Sequence, residues 1–560
     1  MRRRAPLALL FAAVVTYVYR PWEMVGRLPR DTADTGFVTF TMAWIARSVH
    51  HPSGVFNAPI FWPHHNTLTY SDPVMPLGLV WGVVHRLGGS WTIATGVVVM
   101  AMVVANLGAT YALAKRLTGR ADAAALAAFA FALSDFALSQ WGHIQMQALA
   151  YLPLGFLLLL RVLEHGRWLD GLLLGLLQVA MVLTTASIAL AWIVAAGAAI
   201  ALHLVLRRGR LQRSVWTALV LASVVFLAIG LPVTRPYARL QDDPNFRRPL
   251  RPAASTRWPD MFTPSRRRED PLRFLEVVPR VGRYAPEHEA FPGLTTLALG
   301  AVGLGVVAAA GRRRTQRQHE LLLIGAAGAA CLLTAVGPNV LGPVSPYRIL
   351  HNDVPGFAGL RIASRFSMDA ILAVAMLAAA GLTWVIGRMR RPRRGRMIGG
   401  VAVALVLVEL AIPVRWRHLD TSQSTLAVYR ALAQRPAGVV AELPIATFLD
   451  GFAWSSVEGP RQVYMTLDWN RRFNGYSGFV TPDYYDAMIF LNRFPDPCAI
   501  FEARRLQIRW IVLHTETIDG VEQFEEAQAA ARVAKVPPAA VTQVGNSYLV
   551  DVDKLPAPVC

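Results

Sequence analysis

RDTADTGFVTFTMAWIARSVHHPSGVFNAPIFWPHHNTLTYSD, residues 30–72, is a polar stretch in a chain built mostly of apolar runs. It follows one apolar segment and precedes a long series of others, and it is too polar to cross a bilayer. It carries three carboxylates (Asp31, Asp34, Asp72), four histidines (His50, His51, His64, His65), and Trp44, Trp62 and Tyr70. Polar, chemistry-bearing residues gathered in an early loop of an otherwise lipid-seeking chain mark the place to look for a site. Within the stretch, Phe37, Phe40, Trp44 and Ile45 recur at helical spacing. This predicts an amphipathic helix over 35–49 lying on a membrane surface, with Asp34 just before it.

Around that loop, composition sets the class. Of 560 residues, 54% are hydrophobic and only 16% charged, whereas a soluble protein carries about a quarter charged residues. Apolar runs near span length, separated by short basic loops, predict a polytopic α-helical membrane protein. The formal net charge of +20 is concentrated in those loops, as in cytoplasmic loops of membrane proteins, so nucleic acid is not an expected partner.

Residues 1–20 combine three arginines with an apolar run and lack a small-x-small cleavage site, so they read as an uncleaved first helix with a cytosolic N-terminus. Further spans are expected at 90–114, 121–138, 144–163, 169–185, 186–206, 215–231, 291–310, 320–337, 367–386 and 397–413, about eleven in all. Alternation then places KRLTGR (115–120), RVLEHGRW (161–168), RRGRLQR (207–213), GRRRTQRQ (311–318) and GRMRRPRRGR (387–396) in the cytosol, in keeping with the positive-inside rule. Residues 73–87 are short and hold Pro73 and Pro76, and read as an interfacial or re-entrant helix. The expected division is a transmembrane domain over 1–413, with a first outer loop over 21–89, and an extracytoplasmic α/β domain over 414–560. Strand-like runs in the latter occur at 438–443, 508–514 and 547–552, with a helical segment over 521–535. Three cysteines make no disulfide framework. Cys498 and Cys560 fall in the C-terminal domain, and a non-cytosolic location would allow them to pair.

Several residues have both a chemical and a structural reading. Asp34 reads as a general base at the outer mouth of the bundle, taking a proton from an acceptor hydroxyl, or as the N-cap of the following helix. Asp31 reads as a metal ligand, a second helper, or a solvated charge. The Asp31-x-x-Asp34 spacing would put both carboxylates on one face of a helical turn. His64 and His65 are adjacent, which disfavours a two-histidine metal site; one of them suits a phosphate contact. Asp72 suits either a cap or a site. SQWGHIQMQ (139–147) holds Trp141, His143, Gln145 and Gln147, which are interface-belt residues or the lining of a sugar or phosphate pocket. The outer loop over 232–290 carries twelve arginines against eight acidic residues. In PYRILHNDVPGFAGLRIASRF (346–366), Arg348 follows Tyr347, and Arg361 and Arg365 stand four apart, where one helical face would offer both to a phosphate. No Walker-type loop, dinucleotide glycine fingerprint or Cys-x-x-Cys occurs, which disfavours an ATP-driven transporter or a cytosolic nucleotide-sugar enzyme.

These residues resemble a family. Asp34 ahead of an aromatic helix and then NAPIFWPHHNTLTYSDP (57–73) looks like the first outer loop of bacterial multi-spanning GT-C-class glycosyltransferases, in particular a poorly characterised branch of them. His143, FPGL (291–294), PYRIL, VPGFAGLRIASRF and NGYSGFVTPDYY (474–485) resemble that branch too. The resemblance implies transfer of a sugar from a polyprenyl-phosphate carrier to an envelope glycan, lipid or protein outside the bacterial cytoplasmic membrane, with Asp34 as base. Arg361, Arg365 and Arg348 would hold the donor phosphate, and His143, His64, Tyr70 and Asp72 would line the sugar or acceptor pocket. Ala33 stands where the family commonly has Gly. A second, metal-binding carboxylate is common in the family, and Asp31 or Asp72 would supply it for a divalent ion. The alternative reading is a non-catalytic transporter or accessory protein that handles lipid-linked glycans. Few ionisable residues within spans and no internal repeat favour the enzyme over a transporter.

Overall fold

The computed structural model describes residues 5–246, 248, 250, 254–264, 285–311, 313–338, 342–446, 452–515 and 523–560. In chain order these form α1 (Ala5–Tyr19), β1 (Arg27–Pro29), α2 (Asp34–Ser48), α3 (Met75–Arg86), α4 (Trp91–Thr118), α5 (Ala121–Ala132), α6 (Asp135–Ser139), α7 (Tyr151–His165), α8 (Trp168–Thr184), α9 (Ala186–Leu206) and α10 (Arg213–Asp242). They continue with α11 (Leu294–Ala309), α12 (Gln316–Ala335), α13 (Pro346–Asp353), α14 (Ser367–Gly387), α15 (Pro392–Leu410), β2 (Trp416–His418), α16 (Gln423–Ala433), β3 (Val439–Leu443) and α17 (Phe452–Tyr464). The last elements are α18 (Pro482–Leu491), α19 (Pro497–Arg505), β4 (Ile508–His514), α20 (Glu526–Val533), β5 (Val541–Val544) and β6 (Ser547–Asp551).

The chain packs as two units, one of Met1–Pro21 and Val99–Val414, the other of Trp22–Val98 and Arg415–Cys560. The first is the helical one. Across the described residues, six helical stretches are long and apolar enough to cross a membrane: Trp91–Thr118, Ala121–Gly142, Ala186–Leu206, Arg213–Asp242, Gln316–Ala335 and Ala363–Gly387. Three shorter apolar helices are Ala5–Tyr19, Trp168–Thr184 and Leu294–Ala309. With lipid as solvent, packing between such helices relies on close backbone approach at small residues. That is how α11 meets α14, where a Cβ at Gly303 would overlap the Leu377 carbonyl oxygen and one at Gly381 that of Leu299. Helix ends follow local chemistry. Gly166 (φ 61°) ends α7, and Thr315 and Gln318 form a reciprocal capping box at the start of α12.

Several expected spans differ in extent. The run from 144 begins its α-helix only at Tyr151, because residues 144–147 form a 3₁₀ turn. The helix expected to end at 231 continues through Pro232 and Pro236 to Asp242.

In the second unit, β3, β4, β6 and β5 form a sheet in that order, with β3 parallel to β4 and the other pairings antiparallel. β3, β4 and β6 lie in the strand-like runs read from the sequence, and of the segment read as helical over 521–535, Glu526–Val533 is α20. β1 and β2 make a separate antiparallel ribbon with Arg27 opposite His418 and Pro29 opposite Trp416. The stretch 22–98, read as an outer loop of the helical domain, thus packs with the C-terminal segment. The helix expected to lie amphipathically on a membrane surface is α2, and it is buried on nearly every face, from Thr35 through Ala43 and at Ile45. Its threonines make this tolerable, since Thr41 donates to the Phe37 carbonyl (2.9 Å) and Thr39 meets the Thr95 hydroxyl at 3.1 Å. Residues 73–87, read as an interfacial or re-entrant helix, hold α3, which buries Leu77 and Trp81 while Leu79, Val80 and Val83 are exposed. Cys498 and Cys560 form a disulfide.

Candidate active site

Within the second unit, Asp34 is the first residue of α2. The N-cap is Ala33, which has no side chain to cap with, so the capping reading of Asp34 does not hold. The carboxylate instead accepts a hydrogen bond from the hydroxyl of Tyr476. Asp34 is half-buried, and negative charge in a first helical turn is favoured by the free backbone N–H groups there.

A close helix contact sets its position. A Cβ at Gly36 would lie 2.8 Å from the carbonyl carbon and oxygen of Gly459, and one at Gly459 would overlap the carbonyl oxygens of Thr32 and Ala33. α2 and α17 therefore touch backbone to backbone beside Asp34, as only glycine permits. Tyr476 is set edge-on to Phe37 (centroids 5.8 Å apart) and to Trp454 (4.7 Å). The Trp454 indole donates to the Gly475 carbonyl (3.1 Å) and Gln462 to the Tyr476 carbonyl (3.1 Å).

The segment bearing Tyr476 is tied to the early stretch and to a buried ionic cluster. Trp62 N–H donates to the Arg472 carbonyl (2.9 Å), Arg472 N–H to that of Pro59 (2.8 Å), and Phe61 N–H to that of Asn474 (3.2 Å). Asn474 accepts from the backbone N–H of Glu442 (2.7 Å) and donates to its carbonyl (2.9 Å) and to Glu458 (3.1 Å). The Glu442 carboxylate, 1% exposed, accepts from Arg472 (2.6 Å) and Tyr429 (2.7 Å) and lies 2.9 Å from Nε2 of His514. Arg472 also pairs with Asp468 (2.7 Å), and Arg461 with Glu458 (3.0 Å). Burial alone would raise the Glu442 carboxyl, but Arg472, then His514 and Arg461, outweigh it and hold it far below the usual glutamate value.

The remaining sequence candidates of this unit take separate places. Asp31 accepts a long bond from the Thr35 backbone (3.5 Å), and its carbonyl accepts from the Thr35 hydroxyl; Arg30 Nε is 3.8 Å from its carboxylate. It precedes α2, so the one-turn geometry supposed for the two carboxylates is not formed. Nε2 of His64 is 3.0 Å from both the Thr481 hydroxyl and the Asp483 carboxylate. Tyr70 is buried against Phe61 (5.6 Å) and Phe479 (6.5 Å). Asp72 does not cap α3, whose N-cap is Val74. Among the described residues no three His, Cys, Asp or Glu side chains converge as a metal site.

In the helical unit, Nδ1 of His143 lies 2.7 Å from Oε1 of Gln140, whose amide donates to Glu287 (3.2 Å). Arg365 donates to the same carboxylate (2.9 Å). Burial would raise the Glu287 carboxyl, but Arg365, then His143 and Arg361, hold it below the ordinary value. Arg361 and Arg365 do not share an α-helical face, because Arg361 precedes a 3₁₀ turn over Ala363–Phe366 and α14 starts only at Ser367. Arg365 is buried in its pairing with Glu287, and Arg348 of α13 donates to the Pro338 carbonyl (3.4 Å). Sequence reasoning assigned no role to Tyr476, Glu287 or Gln140. Tyr476 was open to discovery, since it sits in the quoted NGYSGFV run, while Glu287 is one of eight acidic residues in a long loop with nothing to single it out.

No protein-family model matches the sequence, and no curated protein does. Among solved structures the chain is similar to the arabinofuranosyltransferase AftD from Mycobacteria, at TM-score 0.60 and 14% identity over 98% of this chain. A mutant R1389S form of that enzyme gives 0.59 and 12%. The chain spans 40% of the length of AftD. ArnT from Cupriavidus metallidurans bound to undecaprenyl phosphate aligns over 98% of both chains at TM-score 0.47 and 13% identity. The fold is GT-C-like.

Proposed function

We propose that this protein is a glycosyltransferase of the bacterial cytoplasmic membrane that moves a sugar from a polyprenyl-phosphate carrier to an envelope glycan, lipid or protein, with Asp34 as general base. The observation that carries this reading is the Asp34–Tyr476 pair. Two segments 442 residues apart are brought together, over a glycine contact, to hold a half-buried carboxylate by a neutral phenol. Asp34 takes the proton of the acceptor hydroxyl as that oxygen bonds to the anomeric carbon, and the bond from that carbon to the phosphate oxygen breaks. Tyr476 is a positioning residue. Arg361, Arg348 and His143, all of the helical unit, are the residues proposed for the lipid-phosphate sugar, Arg365 being paired with Glu287. The GT-C-like fold supports the reaction class, since the AftD structure that shares it is an arabinofuranosyltransferase.

In this reading eleven helices span the membrane: the six long ones, the three shorter apolar ones, and α7 and α15. The N-terminus is cytosolic and the C-terminal segment is an extracytoplasmic α/β domain. The Cys498–Cys560 disulfide favours that side, because disulfides persist in oxidising compartments.

The test supplies purified protein in membranes with labelled polyprenyl-phosphate sugars and envelope acceptors, comparing wild type with Asp34→Asn. Loss of transfer with donor binding retained is expected. Equal transfer in both would remove Asp34 from the mechanism. Donor binding without transfer by wild type would favour an accessory protein that handles lipid-linked glycans.

A further inference from the structure

The second unit holds a cavity of about 500 Å³ between the β1–β2 ribbon and helices α16 and α17. That is within the range of small-molecule sites, roughly 300–1,000 Å³. Its lining carries two guanidinium groups, Arg27 and Arg417, with His418 facing Arg27 across the ribbon. All three are exposed, and the Glu23 partner of Arg27 (2.7 Å) is a surface pair that a ligand anion can compete with.

The carboxylate in the lining is already engaged. Asp420 accepts from the Ser422 backbone (2.9 Å) and the Thr425 hydroxyl (2.6 Å) at the start of α16. Burial would raise its carboxyl, but Thr425, then Ser422, hold it below the ordinary value, so it stays charged where the helix end needs it. Around these charges the wall is amphipathic, with Trp416, Tyr464, Leu419 and Pro460 beside the hydroxyls of Thr32 and Thr425. Guanidinium groups over aromatic and hydroxyl-bearing walls suit a ligand that has an anionic group and a ring with both CH faces and hydroxyls.

The cavity also adjoins the Asp34 corner. Thr32 is two residues from Asp34, which puts their Cα atoms within about 7 Å. Pro460 follows Gly459, where an added Cβ would overlap the carbonyl oxygens of Thr32 and Ala33.

We propose that this cavity is the acceptor pocket and that it takes an anionic saccharide, one bearing a carboxylate or phosphate that docks on Arg27 and Arg417. The proposal rests on the glycosyltransferase reading for the word acceptor, but its binding chemistry is testable without transfer. Full-length protein in nanodiscs is titrated calorimetrically with a glucuronate-containing trisaccharide, its glucose-only counterpart, glucose 6-phosphate and inorganic phosphate. The anionic saccharides should bind at least tenfold tighter than the glucose-only one, and the stronger of the two identifies the anion as carboxylate or phosphate. Arg417→Gln and Arg27→Gln should each weaken binding by about tenfold or more, with Arg417→Lys intermediate. Equal binding of the glucose-only trisaccharide, equal binding of inorganic phosphate, full affinity in both Gln variants, or no binding of either anionic saccharide would overturn the proposal. If saccharide binding follows this pattern while transfer is absent, the pocket stands and the glycosyltransferase reading falls.

Discussion

Two carboxylates of the second unit each accept a hydrogen bond from a tyrosine hydroxyl, Glu442 from Tyr429 and Asp34 from Tyr476. Their surroundings differ. Glu442 sits on β3, an edge strand of the sheet, 1% exposed, with Arg472, His514 and Arg461 around it. Asp34 sits at a helix start, half-buried, beside a phenol. A carboxylate compensated on every side organises the fold and is sealed from solvent, whereas a half-buried one at a helix start keeps contact with solvent. The comparison separates a sealed carboxylate that holds the structure from a half-buried one at a helix start.

The sharpest way to break the comparison is Asp34→Asn, which should lower transfer by about 10²–10⁴-fold, the range for losing a general base, while the thermal melt stays near wild type. A melt lowered as far as that of a Glu442 variant would make Asp34 structural instead. Next in size, Glu442→Ala should destabilise by about 3–5 kcal/mol, because Arg472 and Arg461 are then left buried without their shared partner; chemical denaturation of the full chain measures it. An unchanged midpoint would show that the cluster is not compensated as described. Tyr476→Phe should reduce transfer about tenfold through a misplaced carboxylate, with donor affinity unchanged, because it keeps the ring contacts with Phe37 and Trp454.

The smallest effect is on pH dependence. The folded Glu442 carboxyl lies below its ordinary value of 4.5. Its contribution to stability is therefore complete above the ordinary glutamate range and is lost as pH falls below it, where the unfolded chain takes up the proton first. Glu458, in the same cluster, has its carboxyl raised by burial, against Arg461 and with Glu442, which acts in the opposite sense and shallows the slope. Melts between pH 7 and pH 3 should fall in wild type and be flatter in Glu442→Gln.

How much of this was legible beforehand follows from the range of the forces involved. The apolar stretches, the basic loops between them and three of the four main-sheet strands announced themselves, because hydropathy, charge and period-two alternation are properties of a few consecutive residues. The importance of Asp34 was legible only as one of two readings. The helix after it was misjudged as a surface helix because its aromatic spacing is amphipathic, while burial of its other faces depends on α3 and α17, elements read from other parts of the chain. Arg361 and Arg365 were placed on a common face by their spacing alone. What they contact turned on a glutamate 78 residues before Arg365 and on a 3₁₀ turn where an α-helix was assumed.

The sequence by itself determined which segments seek lipid and which form strands, since transfer from water and local backbone preference are short-range quantities. Only the tertiary structure decided which carboxylate would be sealed among arginines and which would stand beside Tyr476. Burial and charge compensation are summed over neighbours that the chain brings together from hundreds of residues apart.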